Sequence, residues 1–306
     1  MTKFLLDSGD IREYKEIVAL AKSQRSQIWG ATTNPTLIAR SLTGKKLTTK
    51  QAFEMQKEIV MEILEYVQGA VSAEVYVDEN TTAQEMVEQG KEIAAWGDRI
   101  YVKLPTTLEG FKARTKLREK NIPINNTLVF SAQQIFAITL HEKIMKETNP
   151  KIGNTWPPFI SPFIGRLDDK GLNGMQLIEN GIKIQEKLNA DASKPLTWLL
   201  AASIRTAEHM KQCINLNIDI ITAPAKIYRE WFMLSQEQKE AIDVQTAEKN
   251  LASIPSWQSP QELLEIKTIA EFMQAIRTNK LDIRHELTTT GIQKFAADWK
   301  AIIVSN

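Results

Sequence analysis

Cysteine and histidine are nearly missing from this chain, and no long apolar run interrupts it. Cys213 is the one cysteine among 306 residues. No intramolecular disulfide can therefore form, and a reducing compartment is expected. The three histidines, His141, His209 and His285, lie far apart and share no ligand-spacing motif, so no metal is expected. No stretch approaches the ~20 apolar residues of a membrane span. The first residues, Met1 to Asp7, meet an acid too early for a signal peptide. Neither sign of charge dominates: 38 Lys and Arg face 37 Asp and Glu, a net charge of +1. That balance gives no electrostatic case for nucleic acid or an anionic membrane as a partner. Walker-type loops, Gly-x-Gly-x-x-Gly and Gly-x-Ser-x-Gly are absent as well. A cytoplasmic protein is the default expectation.

What the chain does contain is alternation. Strand-like runs occur at Phe4–Asp7, Ile28–Pro35, Val71–Val77, Asp98–Thr107, Pro123–Val129, Phe159–Gly165, Leu196–Ser203 and Ile218–Ala223. Most are followed by enough chain for a helix, such as Lys50–Val67, where Phe53, Ile59, Ile63 and Val67 fall near helical spacing. Asp10 is placed to cap the first helix, with Glu13 three residues on. Eight strand–helix units predict an α/β fold, a (β/α)8 TIM barrel. An open doubly wound sheet satisfies the same alternation but usually carries a Gly-rich first turn. Past residue 230 the alternation stops. Ser235–Ala252 and Glu262–Arg277 are expected to be helical, as is a last amphipathic segment from Leu287 with Ile292, Phe295, Trp299 and Ile302. We therefore expect residues 1–230 to form the barrel and 231–306 a C-terminal helical extension packing on it.

Lys103, between Val102 and Leu104, is out of place in so apolar a strand. Burial of a lysine is costly unless it is paired or neutral; it also lowers the amine's pKa and frees it as a nucleophile toward carbonyls. The ordinary alternative is a sheet-edge lysine reaching water along its stem. In a barrel, chemistry sits at the C-terminal ends of the strands. Asp7, Thr33, Asn34, Glu74, Asn125, Thr127, Ser161 and Ser203 stand there or within strands, with Arg166 and Arg205 just beyond. Each has a plainer reading. Asp7 is a possible helix cap, Asn34 before Pro35 a turn device, Glu74 a solvated strand position, and Arg166 a surface partner of Asp168 and Asp169. Arg205 near a helix start opposes the macrodipole unless an anion binds there. Together, a lysine, acids, amides, hydroxyls and arginines form a pattern that the plainer readings explain poorly.

The runs Gly30–Ile38, Tyr101–Pro105, Ile160–Asp169 and Ala201–Arg205 resemble transaldolase signatures. The likeness spans residues 1 to about 228 and resumes over His285–Trp299. It implies a (β/α)8 barrel and a cofactor-free Schiff-base mechanism. By that resemblance Lys103 would attack a ketose carbonyl, and Asp7 would serve as general acid–base on the C4 hydroxyl. Glu74 would act through a water on carbinolamine dehydration and imine hydrolysis. Asn34, Asn125 and Thr127, with Thr33, would hold the dihydroxyacetone unit, while Ser161, Arg166, Ser203 and Arg205 would bind hydroxyls and the phosphate. Related fructose-6-phosphate aldolases carry Gln at the place of Glu74 and Tyr at that of Phe163. The expected function is therefore dihydroxyacetone transfer from a ketose phosphate (sedoheptulose 7-phosphate or fructose 6-phosphate) to an aldose phosphate (glyceraldehyde 3-phosphate or erythrose 4-phosphate) in the non-oxidative pentose phosphate pathway. Aldol cleavage and a non-catalytic sugar-phosphate-binding barrel are the alternatives. The segments His141–Trp156 and 230–283 are longer than in small family members, whose last helix reaches a neighbour in a ring. Oligomeric state stays open on sequence grounds, with a homo-oligomer through the C-terminal helix as one outcome.

Overall fold

The computed structural model describes residues 1–190, 192–244 and 250–304. Its centre is a closed barrel of eight strands in sequence order. They are β1 (Lys3–Asp7), β2 (Ile28–Thr32), β3 (Val71–Glu74), β4 (Ile100–Pro105), β5 (Ile124–Val129), β6 (Phe159–Pro162), β7 (Trp198–Ala201) and β8 (Ile220–Ala223). Every neighbouring pair is parallel, and β8 closes onto β1. Parallel strands covered by helices on one side and by the barrel interior on the other read as continuous buried runs. All residues of β4 and β5 are buried accordingly.

Around the barrel lie α1 (Ile11–Ser23), α2 (Pro35–Ser41), α3 (Thr49–Tyr66), α4 (Ala83–Ala94), α5 (Leu108–Glu119), α6 (Ala132–Thr148), α7 (Ile164–Asp168), α8 (Gly174–Asn189), α9 (Ala207–Asn215) and α10 (Ala225–Met233). Their starts are written in the sequence. Asp10 accepts from the Arg12 amide, Pro35 opens α2, and capping boxes start α3, α4 and α6. The third strand is shorter than expected and ends at Glu74. Beyond it the Tyr76 amide donates to Gln89 Oε1 and its phenol to Asp78, so Tyr76 leaves the sheet.

The tail contains α11 (Gln236–Ala241), α12 (Gln261–Leu264), α13 (Ile269–Arg277) and α14 (Glu286–Lys300). Of the helix expected over Ser235–Ala252, α11 covers Gln236–Ala241 and Val244 is helical again, while residues 245–249 lie outside the described residues. The helix expected over Glu262–Arg277 is split in two. Thr268 and Glu271 form a capping box, and Glu271 Oε2 also accepts from the Lys267 amide at 3.1 Å. Those amides find a carboxylate instead of carbonyls of a preceding turn, so a new helix starts there. Phe272 of α13 packs edge-on against Phe111 (centroids 5.1 Å) and against His141. Trp257 packs on Phe136. The last helix, α14, crosses the C-terminal face and contacts α2 and β5. Trp299 and Ile302 form a small apolar cluster with Ile38, Leu42 and Leu47.

The N-terminal mouth of the barrel is filled by aromatic rings. Tyr101 stacks on Phe159 (4.2 Å), Phe159 on Trp198 (6.0 Å), and Trp29 meets Trp156 edge-on (4.7 Å). The Lys3 ammonium lies over both Trp29 and Trp198, at 5.6 and 5.0 Å. Asp7, Glu74 and Lys103 stand toward the opposite ends of their strands.

Candidate active site

Register brings the central groups together. Glu74 of β3 pairs with Lys103 of β4, and Lys103 with Asn125 of β5. Side chains at one level of adjacent parallel strands share a face, and here that face is the barrel interior. Lys103 Nζ lies 3.1 Å from Glu74 Oε2, with both side chains 4% exposed. The ammonium also donates to the Thr33 carbonyl at 2.8 Å. Lys103 is thus a buried lysine held by a carboxylate and a carbonyl, not a sheet-edge one. Burial pushes the Glu74 carboxyl above its ordinary range, although Lys103 pulls it down.

Next to this pair, Asn125 Nδ2 donates to Ser72 Oγ at 3.0 Å, and Asn125 Oδ1 accepts from Ser161 Oγ at 2.6 Å. Both ends of the amide are therefore oriented. Thr127, two residues further up β5, has a buried hydroxyl with no hydrogen-bond partner among the described residues. Thr33 contributes its carbonyl to Lys103, while its hydroxyl donates to the Ser72 carbonyl at 2.9 Å. Asn34 caps α2, its Oδ1 accepting from the Leu37 amide at 3.0 Å, and it also lines the cavity described below. The turn-device reading and a site position coexist there.

Asp7 stands at the end of β1. Thr32 Oγ1 donates to its Oδ1 at 2.7 Å, and the hydroxyls of Thr32 and Thr222 are 2.6 Å apart. The Tyr14 phenol donates to the carbonyls of Leu6 and Ser8, fixing the backbone on either side. Burial raises the Asp7 carboxyl above its ordinary range against the pull of Lys103, the Thr32 hydrogen bond and the two arginines, Arg166 and Arg205. Its side chain does not cap α1, because Asp10 does.

The cations follow β6 and β7 directly, Arg166 within α7 and Arg205 in the loop before α9. Gly165 makes room for them: a Cβ there would lie 2.2 Å from the Ser203 carbonyl and 2.5 Å from Arg205 Cγ. Ser203 itself adopts a left-handed backbone, φ 61°, a conformation that costs a non-glycine residue about 1 kcal/mol or more. Asp168 and Asp169 do not pair with Arg166. Asp168 Oδ2 lies 2.8 Å from His209 Nε2, and Asp169 Oδ2 accepts from Arg205 at 3.1 Å. Arg166 stays half-buried, its Cζ 5.0 Å from the Phe163 ring centre.

A cavity of about 620 Å³ opens over these groups. Its walls include Asp7, Asn34, Lys103, Ser161, Phe163 and Arg166, together with Ser203 and Arg205. Glu74 and Asn125 sit behind that lining and reach it through Lys103 and Ser161, and Thr127 does not line it. Several wall residues went unnoticed in the sequence. Thr32 holds Asp7, and Thr222 in turn contacts the Thr32 hydroxyl; Thr32 stands on the strand face opposite to Thr33, which is why attention to Thr33 alone passed over it. Arg40, Lys294 and Phe295 also line the cavity, and on an amphipathic helix such residues look like solvated or core positions. No group of three or more His, Cys, Asp or Glu able to hold a metal occurs among the described residues. No described helix is long and apolar enough to cross a membrane. Chemically, the cavity offers a primary amine beside one carboxylate, a second carboxylate across from it, and guanidinium groups at the mouth. That set suits carbonyl condensation and proton transfer on an anionic molecule.

The sequence model of the family described as Transaldolase/Fructose-6-phosphate aldolase matches residues 4–305. A Maricaulis maris (strain MCS10) protein named "Probable transaldolase" is 42% identical over 200 residues, 65% of this chain and 77% of that one. A Brucella ovis protein of the same name is 38% identical over 222 residues, 72% of this chain and 85% of that one. One from Dinoroseobacter shibae is 36% identical over 228 residues, covering 74% and 88%. Among solved structures, N-acetylneuraminate lyase from Mycoplasma synoviae superposes with a TM-score of 0.39 at 15% identity, over 98% of this chain and 97% of that one.

Proposed function

Because the chain belongs to the transaldolase/fructose-6-phosphate aldolase family, we propose that it transfers a dihydroxyacetone unit from a ketose phosphate to an aldose phosphate through an imine on Lys103. The donors would be sedoheptulose 7-phosphate or fructose 6-phosphate and the acceptors glyceraldehyde 3-phosphate or erythrose 4-phosphate, a step of the non-oxidative pentose phosphate pathway in the cytoplasm. The observation that carries this reading is Lys103, which is paired with the buried Glu74 at 3.1 Å and lines one cavity with Asp7 and Arg166.

In this reaction the Lys103 nitrogen adds to the C2 carbonyl. Glu74, directly or through one water, takes up the proton that the amine sheds and returns it to the departing hydroxyl as water leaves. Asp7 then accepts the proton of the C4 hydroxyl. The C3–C4 electron pair moves into the iminium, leaving an enamine on Lys103 and releasing the aldose phosphate. The same steps in reverse join the three-carbon unit to the acceptor, and hydrolysis of the final imine regenerates the amine. The raised carboxyls of Asp7 and Glu74 suit groups that must both take and give protons. Asn125 and Ser161 would orient the dihydroxyacetone hydroxyls, and Arg166 and Arg205 the phosphate. Phe163 has no hydroxyl to deliver a proton to the enamine, which favours transfer over simple aldol cleavage.

Borohydride reduction in the presence of fructose 6-phosphate, followed by peptide mass analysis, tests the reading. A reduced adduct is expected on Lys103 and none in Lys103→Met; an adduct elsewhere in active protein would overturn the mechanism. In the same preparation, glyceraldehyde 3-phosphate release should speed up on adding erythrose 4-phosphate. Release equally fast without acceptor would make the protein an aldolase instead.

A further inference from the structure

Arg166 and Arg205 are held in opposite ways. Arg205 is exposed and spends a donor on Asp169 at 3.1 Å. Arg166 is half-buried, yet no hydrogen bond or ion pair engages its guanidinium among the described residues. What touches it instead is aromatic. Its Cζ lies 5.0 Å from the centre of the Phe163 ring and 5.3 Å from that of Phe295, both within the range of a cation–π contact. Phe163 is backed in turn by Phe130, edge-on at 5.7 Å, and Phe130 stacks on His285 at 5.4 Å. The backbone of α14 comes close as well: a Cβ on Gly291 would lie 3.0 Å from Arg166 Nη1 and 2.6 Å from Leu128 Cδ2.

Rings hold a cation without occupying its N–H donors. A carboxylate partner would fix the arginine too, but an incoming anion would then have to displace it. Here the guanidinium is fixed and all of its donors remain for a ligand. Since Phe163 adjoins Arg166 in sequence, the distant contribution comes from α14.

We propose that Phe295, with Gly291 beside it, is a positioning residue for the anion site: α14 holds the Arg166 guanidinium toward the cavity and so sets the preference for phosphorylated over free sugars. This rests on the assignment of Arg166 to the substrate phosphate made above. The position of α14 near the cavity makes it a selectivity element acting through Arg166, with no contact of its own to the reacting carbons required.

The test compares fructose 6-phosphate with fructose as donors and uses inorganic phosphate as inhibitor, in the full-length protein. Phe295→Leu keeps the apolar packing and removes the ring. Its KM for fructose 6-phosphate and its phosphate inhibition constant are expected to rise roughly tenfold, between the exposed and the desolvated scale of a cation–π contact, as suits a half-buried arginine. KM should move more than kcat, and the preference for fructose 6-phosphate over fructose should fall by a similar factor. Phe295→Tyr should restore both. Gly291→Ala, whose methyl would crowd Nη1, should shift the same preference in the same direction, so the idea stands or falls even if one variant folds poorly. Equal losses on fructose and fructose 6-phosphate, or unchanged phosphate inhibition in Phe295→Leu, would overturn the proposal. Arg166→Ala separates the two claims. If it abolishes phosphate inhibition while Phe295→Leu does nothing, only the positioning role falls. If Arg166→Ala leaves inhibition intact, the phosphate assignment falls and the positioning role with it.

Discussion

Asp7 carries two opposed demands. In the proposed reaction its carboxyl must be ionised to accept a proton, yet burial disfavours that charge and raises its pKa. Asp7→Asn keeps an acceptor for Thr32 but removes the base. Borohydride trapping on Lys103 should survive, while C–C cleavage slows by ~100-fold or more. The same change should affect stability in a pH-dependent way. With the folded pKa above the unfolded value, the native state holds the proton more tightly. Stability therefore falls as pH rises from the unfolded toward the folded pKa, and the penalty vanishes below both. Asp7→Asn should raise the melting temperature at about pH 8, by on the order of 2 °C per kcal/mol of relieved penalty, and give little gain near pH 4. Equal gains at both pH values would contradict this origin. At this scale the sequence was informative because the site uses residue types in incongruous places. A lysine between Val102 and Leu104 and an acid closing an apolar strand are local signals. Thr33 shows the limit: what it gives Lys103 is a carbonyl, which no side-chain pattern can point to.

Among elements, β5 is the least regular strand near the site. Its register to β6 slips between Asn126 and Val129, and Leu128 takes a left-handed φ of 57°. The slip coincides with a handover to α14: the Leu128 carbonyl accepts from Thr288 Oγ1 at 2.9 Å, and Gln134 Nε2 donates to the same hydroxyl at 2.9 Å. Thr288→Val should leave a buried carbonyl unpaired and strip Gln134 of one acceptor, costing about 1–3 kcal/mol; urea unfolding would measure it, and a change within error would refute the link. Strand positions and several helix starts could be read from short windows, since alternation and capping boxes are local. Which faces of β3 and β4 point inward could not, because closure of the sheet decides it. The roles of Gly291 and Phe295 were equally hidden, since an apolar residue on an amphipathic helix looks the same whether it meets core or an arginine.

The whole molecule also contains a charge cluster none of whose members lines the cavity. Glu142 of α6 receives Arg114 at 2.9 Å and Arg118 at 2.7 Å, all fully buried. Arg114 Nε also donates to Asn126 of β5, whose Nδ2 donates to the Phe159 carbonyl. The cluster thus ties two helices to two barrel strands. Burial alone would raise the Glu142 carboxyl, but Arg114 and Arg118 together pull it below its ordinary range. Burial and the same arginines push the His141 imidazole well below its usual value. Glu142→Gln should destabilise the protein by roughly 3–5 kcal/mol, because it leaves buried guanidinium charge uncompensated. The depressed carboxyl adds stability that is complete above its unfolded pKa and lost as pH falls through the folded one. The gap between wild type and Glu142→Gln should accordingly narrow in acid; a gap independent of pH would argue against the charge pairing. Nothing in the sequence singled this cluster out, since charged residues on helices are ordinarily solvated. It becomes buried only because α5, α6 and α13 pack together.

The aromatic floor, finally, makes the barrel a blind alley. With Tyr101, Phe159 and Trp198 stacked across its N-terminal end, nothing passes along the axis. In the transfer reaction proposed above, the departing and the incoming aldehyde would therefore share one mouth. The proposed imine on Lys103 would keep the three-carbon fragment moored between those two visits. Such alternation is the pattern of a double-displacement reaction, and the closed floor leaves it a single entrance.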